Sequence, residues 1–155
     1  MQPYVPYAWQ DIGREGTVGI PSSNSTRINV LGFMNPITQE FTDFEYDGSV
    51  TSTVIINIMD DYSNRIVNPT VVILDNASVH TSKAVCENFR KWEKRGLTLY
   101  FLPPYSPELN LIEILWRKIK YEWIPSSAYI SMDALRAALY DIIDSFGSEY
   151  TINFS

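Results

Sequence analysis

The run Val71-Val72-Ile73-Leu74-Asp75-Asn76-Ala77-Ser78-Val79-His80 and, further on, Leu102-Pro103-Pro104-Tyr105-Ser106-Pro107-Glu108-Leu109-Asn110-Leu111-Ile112-Glu113, then Leu115-Trp116, decide the fold. The first is a short apolar strand ending in Asp-Asn. The second is a strand end, a Pro-rich turn and a helix start that carries a carboxylate. Together they put Asp75 and Glu113 on elements that a compact α/β domain brings face to face. Two carboxylates held in that way are what a divalent-metal phosphoryl-transfer site needs.

Outward from these runs the pattern stays α/β. Thr70 to Leu74 reads as a continuous apolar strand, the kind buried on both faces. Ser82 to Arg95 has helical spacing at Val85, Phe89 and Trp92, with Gly96 as its stop. Leu97 to Leu102 is the next strand, and strand, helix, strand at that spacing makes a right-handed parallel crossover. Glu108 to Trp123 predicts a helix with Ile112, Leu115, Trp116, Ile119 and Trp123 on one face, ended by Pro125; Ser106-Pro107 offers its N-cap and first position. Upstream, Arg27 to Phe33 and Glu40 to Tyr46 form a hairpin around a turn at Asn35-Pro36. Thr51 to Tyr62 sets β-branched residues at helical spacing, and the spacing with its polar ends favours a helix. Met132 to Phe146 predicts a last amphipathic helix. Residues 1 to 26 are rich in Pro, Gly and Ser, and Gly13, Gly16 and Gly19 are too scattered for a phosphate loop. No repeat or linker interrupts a single domain over residues 1–155.

The acids each have a plainer reading. Asp75 would sit at the carboxyl end of a parallel strand, where open α/β sheets place ligands. It would serve equally in an Asx turn or as a helix N-cap. Asn110-x-x-Glu113 is a passable capping box, and Glu113 with Arg117 an i, i+4 ion pair. Glu108, at the helix entrance, is a dipole-complementing acid. His80, the single histidine, would lie near a scissile phosphate or would pack and hydrogen-bond where a strand hands over to a helix, and because hard cations prefer oxygen ligands the second role is favoured.

At 155 residues, 45% hydrophobic and 19% charged, the chain is long enough for a real core and is not a disordered polymer. The one cysteine, Cys86, excludes an internal disulfide and suits a reducing compartment. There is no signal-peptide pattern at Met1-Gln2-Pro3-Tyr4, and no apolar run is long enough for a membrane. A net charge of −6 argues against nucleic acid at first sight. However, residues 83–120 hold Lys83, Arg90, Lys91, Lys94, Arg95, Arg117, Lys118 and Lys120 against Glu87, Glu93, Glu108 and Glu113, a local +4 that leaves −10 elsewhere. Solvated helix faces are the plainer account of those clusters.

Asp75-Asn76-Ala77-x-x-His80, with Leu102 to Asn110 and Ile112-Glu113, resembles the catalytic domain of mariner-superfamily insertion-sequence transposases. The likeness runs more loosely through Trp9 and Arg27-Ile28-Asn29-Val30-Leu31-Gly32, and so covers most of the chain. It implies an RNase H-like α/β fold: a mixed sheet with a hairpin, crossover helices and C-terminal helices. It also implies an Asp, Asp, Glu/Asp triad holding two metal ions, Mg²⁺ or Mn²⁺, and DNA transposition as the activity, with transposon ends and target DNA as partners. The second acid falls on Asp75 and the third on Glu113, which makes both catalytic and metal ligands. The 37 residues between them exceed that family's usual gap slightly and point to an insertion.

The first acid of the pattern ends a strand ahead of a segment like Tyr4 to Trp9. None of Asp11, Asp43, Asp47, Asp60 or Asp61 ends an apolar strand ahead of Trp9. The expectation is therefore a chain without the first central strand and without a basic helix-turn-helix. Such a piece, truncated or from a split frame, would be inactive and poorly stable by itself. It would pair with another copy or with an upstream fragment through an exposed sheet edge. A non-catalytic nucleic-acid or protein binding domain, and an RNase H-fold nuclease, are the alternative functions. The expected location is the prokaryotic cytosol, beside nucleoid DNA.

Overall fold

The computed structural model describes residues 28–46, 48–104 and 106–154. Expectations for Met1 to Arg27, including the segment around Trp9 and the place of the first acid, lie outside the described residues, as does Asp47. Among the described residues the strands form an antiparallel pair, β1 (Asn29–Met34) with β2 (Phe41–Tyr46), and a parallel pair, β3 (Thr70–Leu74) with β4 (Leu97–Phe101). With the helices this is a mixed α/β arrangement consistent with the RNase H-like class. The chain divides into two compact units, residues 46–113 and the remainder.

In the first unit, α1 (Ser52–Arg65) starts where the Thr51 hydroxyl accepts the Val54 N–H at 3.4 Å. It buries Ile55, Ile58 and Met59 on one face. Helical spacing has thus prevailed over β-branched composition, because burying that face outweighs the small propensity cost of Val and Ile. The register of the parallel pair runs from Thr70 opposite Leu97 to Leu74 opposite Phe101.

Two expectations need correction in this unit. The helix predicted over Ser82–Arg95 is broken into α2 (Lys83–Cys86) and α3 (Phe89–Glu93). At the break the Asn88 side chain donates to the Ala84 carbonyl at 2.9 Å, and the Asn88 N–H turns to the Val85 carbonyl at 3.0 Å. An Asn that bonds the preceding turn competes with the backbone ladder. The second correction concerns β3, which is not covered on both faces. Val72 is buried, whereas Val71 and Ile73 are 62% and 57% exposed, and Tyr100 on β4 is 59% exposed. The crossover helices cover the face that carries Val72, Leu97 and Phe101, where Phe89 and Phe101 have ring centroids 5.9 Å apart.

One polar node ties α1 to α3. Trp92 is fully buried, and its indole N–H donates to Asp60 at 2.8 Å. Lys91 bonds the other Asp60 oxygen at 2.6 Å, Arg95 approaches at 3.5 Å, and Arg95 also donates to Ser63 at 3.0 Å. Burial works against the Asp60 charge, but the hydrogen bonds from Lys91 and Trp92 and the two cations outweigh it and hold this carboxyl below the usual range. Gly96 then ends α3 with φ +88° and hands the chain to β4.

In the second unit the β1–β2 turn is closed by Asn35, whose side-chain oxygen accepts from Ile37 and Thr38 at 3.0 and 3.3 Å. Gly32 is required by close approach: a Cβ there would lie 2.1 Å from the Phe41 ring. That ring meets Trp116 edge-on at 5.5 Å.

The helix predicted from Glu108 begins later. Pro107–Leu109 is a 3₁₀ turn, and α4 spans Ile112–Lys118, running on as a wider π turn, Ile119–Trp123. Ser106 therefore does not cap an α-helix; its hydroxyl donates to the Pro104 carbonyl at 3.5 Å. Ile119 and Ile124, five residues apart, are both buried, and the Ile124 N–H reaches the Ile119 carbonyl at 3.1 Å. A regular helix would place that pair on different faces.

The last helix, α5 (Met132–Asp144), is capped by Ser131, which accepts the Ala134 N–H at 3.1 Å, and buries Leu135, Leu139, Ile142 and Ile143. Its outer side meets β2 through Glu45, which accepts from Arg136 and, at 2.6 Å, from the Tyr140 hydroxyl. Burial first, then the hydrogen bond to Glu45 and the Glu45 and Asp43 charges, push the Tyr140 phenol up to about 12 against the opposing pull of Arg136.

These nodes give two stability predictions. Asp60→Ala leaves the buried Trp92 N–H without an acceptor and should cost about 1–3 kcal/mol in urea unfolding. Asp60→Asn keeps an acceptor but loses the charge. Because the folded carboxyl titrates below its unfolded value, wild-type stability from this group is present above the ordinary carboxylate range and lost as pH falls through the depressed value. The Asn variant should lack that acid-side decline. For Tyr140 the sign reverses. Its contribution is full below an unfolded phenol value of about 10 and fades as pH rises toward about 12. Tyr140→Phe should remove this alkaline loss, and phenolate absorbance should show one late-ionising tyrosine fewer.

Candidate active site

Asp75 follows the last residue of β3, and the ladder continues past it. The Leu102 N–H donates to the Leu74 carbonyl at 2.8 Å, and the Asn76 side chain donates to the Leu102 carbonyl. These bonds stitch the segments after β3 and β4 together at the carboxyl end of the parallel pair. The chain then turns sharply. The N–H groups of His80 and Thr81 both reach the Ala77 carbonyl, at 2.9 and 3.3 Å. This turn returns the His80 ring to Asp75, with Nδ1 2.8 Å from Oδ1. The Ala77 N–H donates to the same oxygen at 3.0 Å. The Asx turn foreseen for Asp75 is therefore made, but it uses one oxygen. Among the described residues Oδ2 has no hydrogen-bond partner, and the side chain is 48% exposed.

Glu113 lies in the first turn of α4, at the end of the same compact unit. Its N–H bonds the Asn110 carbonyl at 2.9 Å. Among the described residues neither plainer role assigned to its carboxylate is made: Asn110 forms no capping box with it, and no ion pair joins it to Arg117. The carboxylate is exposed and uncommitted.

The other acids are differently placed. Asp60 is saturated by Lys91, Trp92 and Arg95, and Asp61 pairs with Arg65. Asp43 lies on β2 in the other unit. Among the described residues no group of three or more His, Cys, Asp or Glu side chains is assembled to hold a metal. The donors fit a hard cation by chemistry, since Asp75 and Glu113 offer carboxylate oxygens free of internal partners. Half of the eight basic residues in the 83–120 stretch make ion pairs within the chain. Lys91 and Arg95 serve Asp60, Lys83 lies 4.0 Å from Glu87, and Lys118 pairs with Glu122.

Over residues 1–136 the chain matches the family described as DDE superfamily endonuclease. This chain belongs to that family. No curated protein matches it. The two runs that opened the sequence reading lie inside the matched region of this DDE endonuclease domain. Membership supports chemistry of the nuclease or transposase type, with DNA as the implied substrate; divalent metal use is general among these enzymes. No helix among the described residues is long and apolar enough to cross a membrane.

For His80 a hydrogen-bonding role is legible in the sequence, but its partner is not. Only its five-residue separation from Asp75 across turn-forming Asn76-Ala77-Ser78 carried a signal. Asn76 stands in the Asp75-Asn76-Ala77 motif, but its spacing carries no sign of the bond to the Leu102 carbonyl that fastens the site's base. Asn76→Ala should lower stability by about 0.5–1.5 kcal/mol, the range for one net hydrogen bond, read as a shift in the urea midpoint.

Proposed function

We propose that this DDE domain is the catalytic domain of a mariner-superfamily insertion-sequence transposase, cutting transposon ends and joining them to target DNA, with Asp75 and Glu113 as metal ligands. The observation that carries the reading is a pair of carboxylates with oxygens free of internal partners, Oδ2 of Asp75 directly after β3 and the Glu113 carboxylate in the first turn of α4. Each of them matches an acid of the family pattern in sequence. Two Mg²⁺ or Mn²⁺ ions, when bound, would supply activation of a water or 3′-hydroxyl and stabilisation of the leaving oxygen. The chain's own part is to hold oxygen donors on rigid elements. The β3–β4 ladder fixes Asp75, and the helix start fixes Glu113. The setting in this reading is the prokaryotic cytosol, where chromosomal DNA is accessible.

Only two acids of the triad are identified on this chain, so the reading expects cation binding without efficient turnover by the 155-residue chain alone. The same observation, with the acidic balance, favours as a second reading a non-catalytic binding domain built on the same fold.

Mn²⁺ titration followed by electron paramagnetic resonance separates them. The transposase reading expects binding that Asp75→Ala and Glu113→Ala each weaken about tenfold or more, with circular dichroism unchanged. Equal binding by wild type and both variants would leave the second reading. A DNA-nicking assay on the same samples should be blank; nicking that Asp75→Ala abolishes would identify a third ligand on this chain.

A further inference from the structure

The geometry points to His80 as a positioning residue for Asp75: it fixes the carboxylate so that Oδ2 alone is presented to a divalent cation. This rests on the proposed role of Asp75. A carboxylate oxygen only accepts, so the 2.8 Å contact requires the hydrogen on Nδ1 of His80. The Ala77 N–H already donates to Oδ1 at 3.0 Å and closes the Asx turn. One bond holds the oxygen but leaves the carboxylate free to rotate. A second donor, arriving from a ring that is only 15% exposed, removes that freedom and takes the remaining acceptor capacity of Oδ1. The ring is itself held by the turn, in which the His80 and Thr81 N–H groups both bond the Ala77 carbonyl. The outcome is a half-exposed carboxylate whose inner oxygen is saturated and whose outer oxygen is empty-handed, on a rigid strand end. Hydrogen bonds of this kind set the orientation and basicity of metal-ligating side chains.

The experiment uses the full chain, with Mn²⁺ as the probe. His80→Leu removes the donor, while His80→Asn restores it, since the amide nitrogen occupies the δ position that Nδ1 holds. His80→Leu should weaken Mn²⁺ binding about 10–100-fold, and His80→Asn should return it close to wild type, with melting curves measured for both. A folded His80→Asn that binds as weakly as Asp75→Ala overturns the inference, as does a His80→Leu that binds like wild type while Asp75→Ala does not. Binding unaffected by Asp75→Ala overturns the site itself, and the inference with it.

A second measurement needs no His80 variant. His80 is the only histidine, so its imidazole gives one set of ¹⁵N resonances. These should report hydrogen on Nδ1 and should shift on Mg²⁺ addition in wild type but not in Asp75→Ala. Hydrogen on Nε2 with none on Nδ1, or no response to Mg²⁺, overturns the proposal.

Discussion

The parallel ladder between β3 and β4 is the constraint on which the site depends. Parallel pairing is weaker per residue than antiparallel pairing and needs helices laid against it. The dependence can be followed residue by residue. Asp60 on α1 anchors the Trp92 indole, and that sets α3. Phe89 on α3 packs against Phe101 on β4. β4 then holds β3 in register, and the bonds from Leu102 and Asn76 carry that register past the end of the strand to Asp75. A half-exposed carboxylate thus acquires its rigidity from a buried tryptophan one helix away.

Charge gives the site a second constraint. The chain as a whole is acidic, at −6, and much of its basic side chain complement is bound to its own carboxylates. The outer oxygen of Asp75 and the exposed Glu113 carboxylate on such a surface repel a phosphodiester. Affinity for a nucleic-acid backbone at this point is conditional on a cation lying between like charges. Of the basic side chains in residues 83–120, Arg90, Lys94, Arg117 and Lys120 make no ion pair among the described residues.

The regular elements were legible because their signals are local. The hairpin, α1, β3, β4 and α5 follow from spacing, caps and turn residues, and the Asp75 and Glu113 runs pointed to a DDE-type domain, which the family match supports. What escaped depends on side chains that bond outside their own period. Asn88 breaks a helix whose apolar spacing is intact, and the π turn shifts phase without any proline or glycine to mark it. The apolar run of β3 could not reveal that Val71 and Ile73 remain exposed, since composition is blind to which face the helices cover. The bond from His80 to Asp75 was hidden for the same reason: a turn, not a periodicity, brings the two together.

The wide turn at Ile119–Trp123 also bears on how relatives of this chain would differ in length. Each residue of a helix advances the phase by about 100°, so one residue more or fewer ordinarily rotates everything downstream off its face. Here the surplus residue is absorbed in a single loose coil, and Leu115 before it, Ile119 at its start and Ile124 after it all remain buried. A homologous helix one residue shorter would wind as a plain α-helix and still deliver the same side chains inward. In a comparison of such sequences, a one-residue gap in the middle of this helix is the mark of a change in winding and not of misalignment.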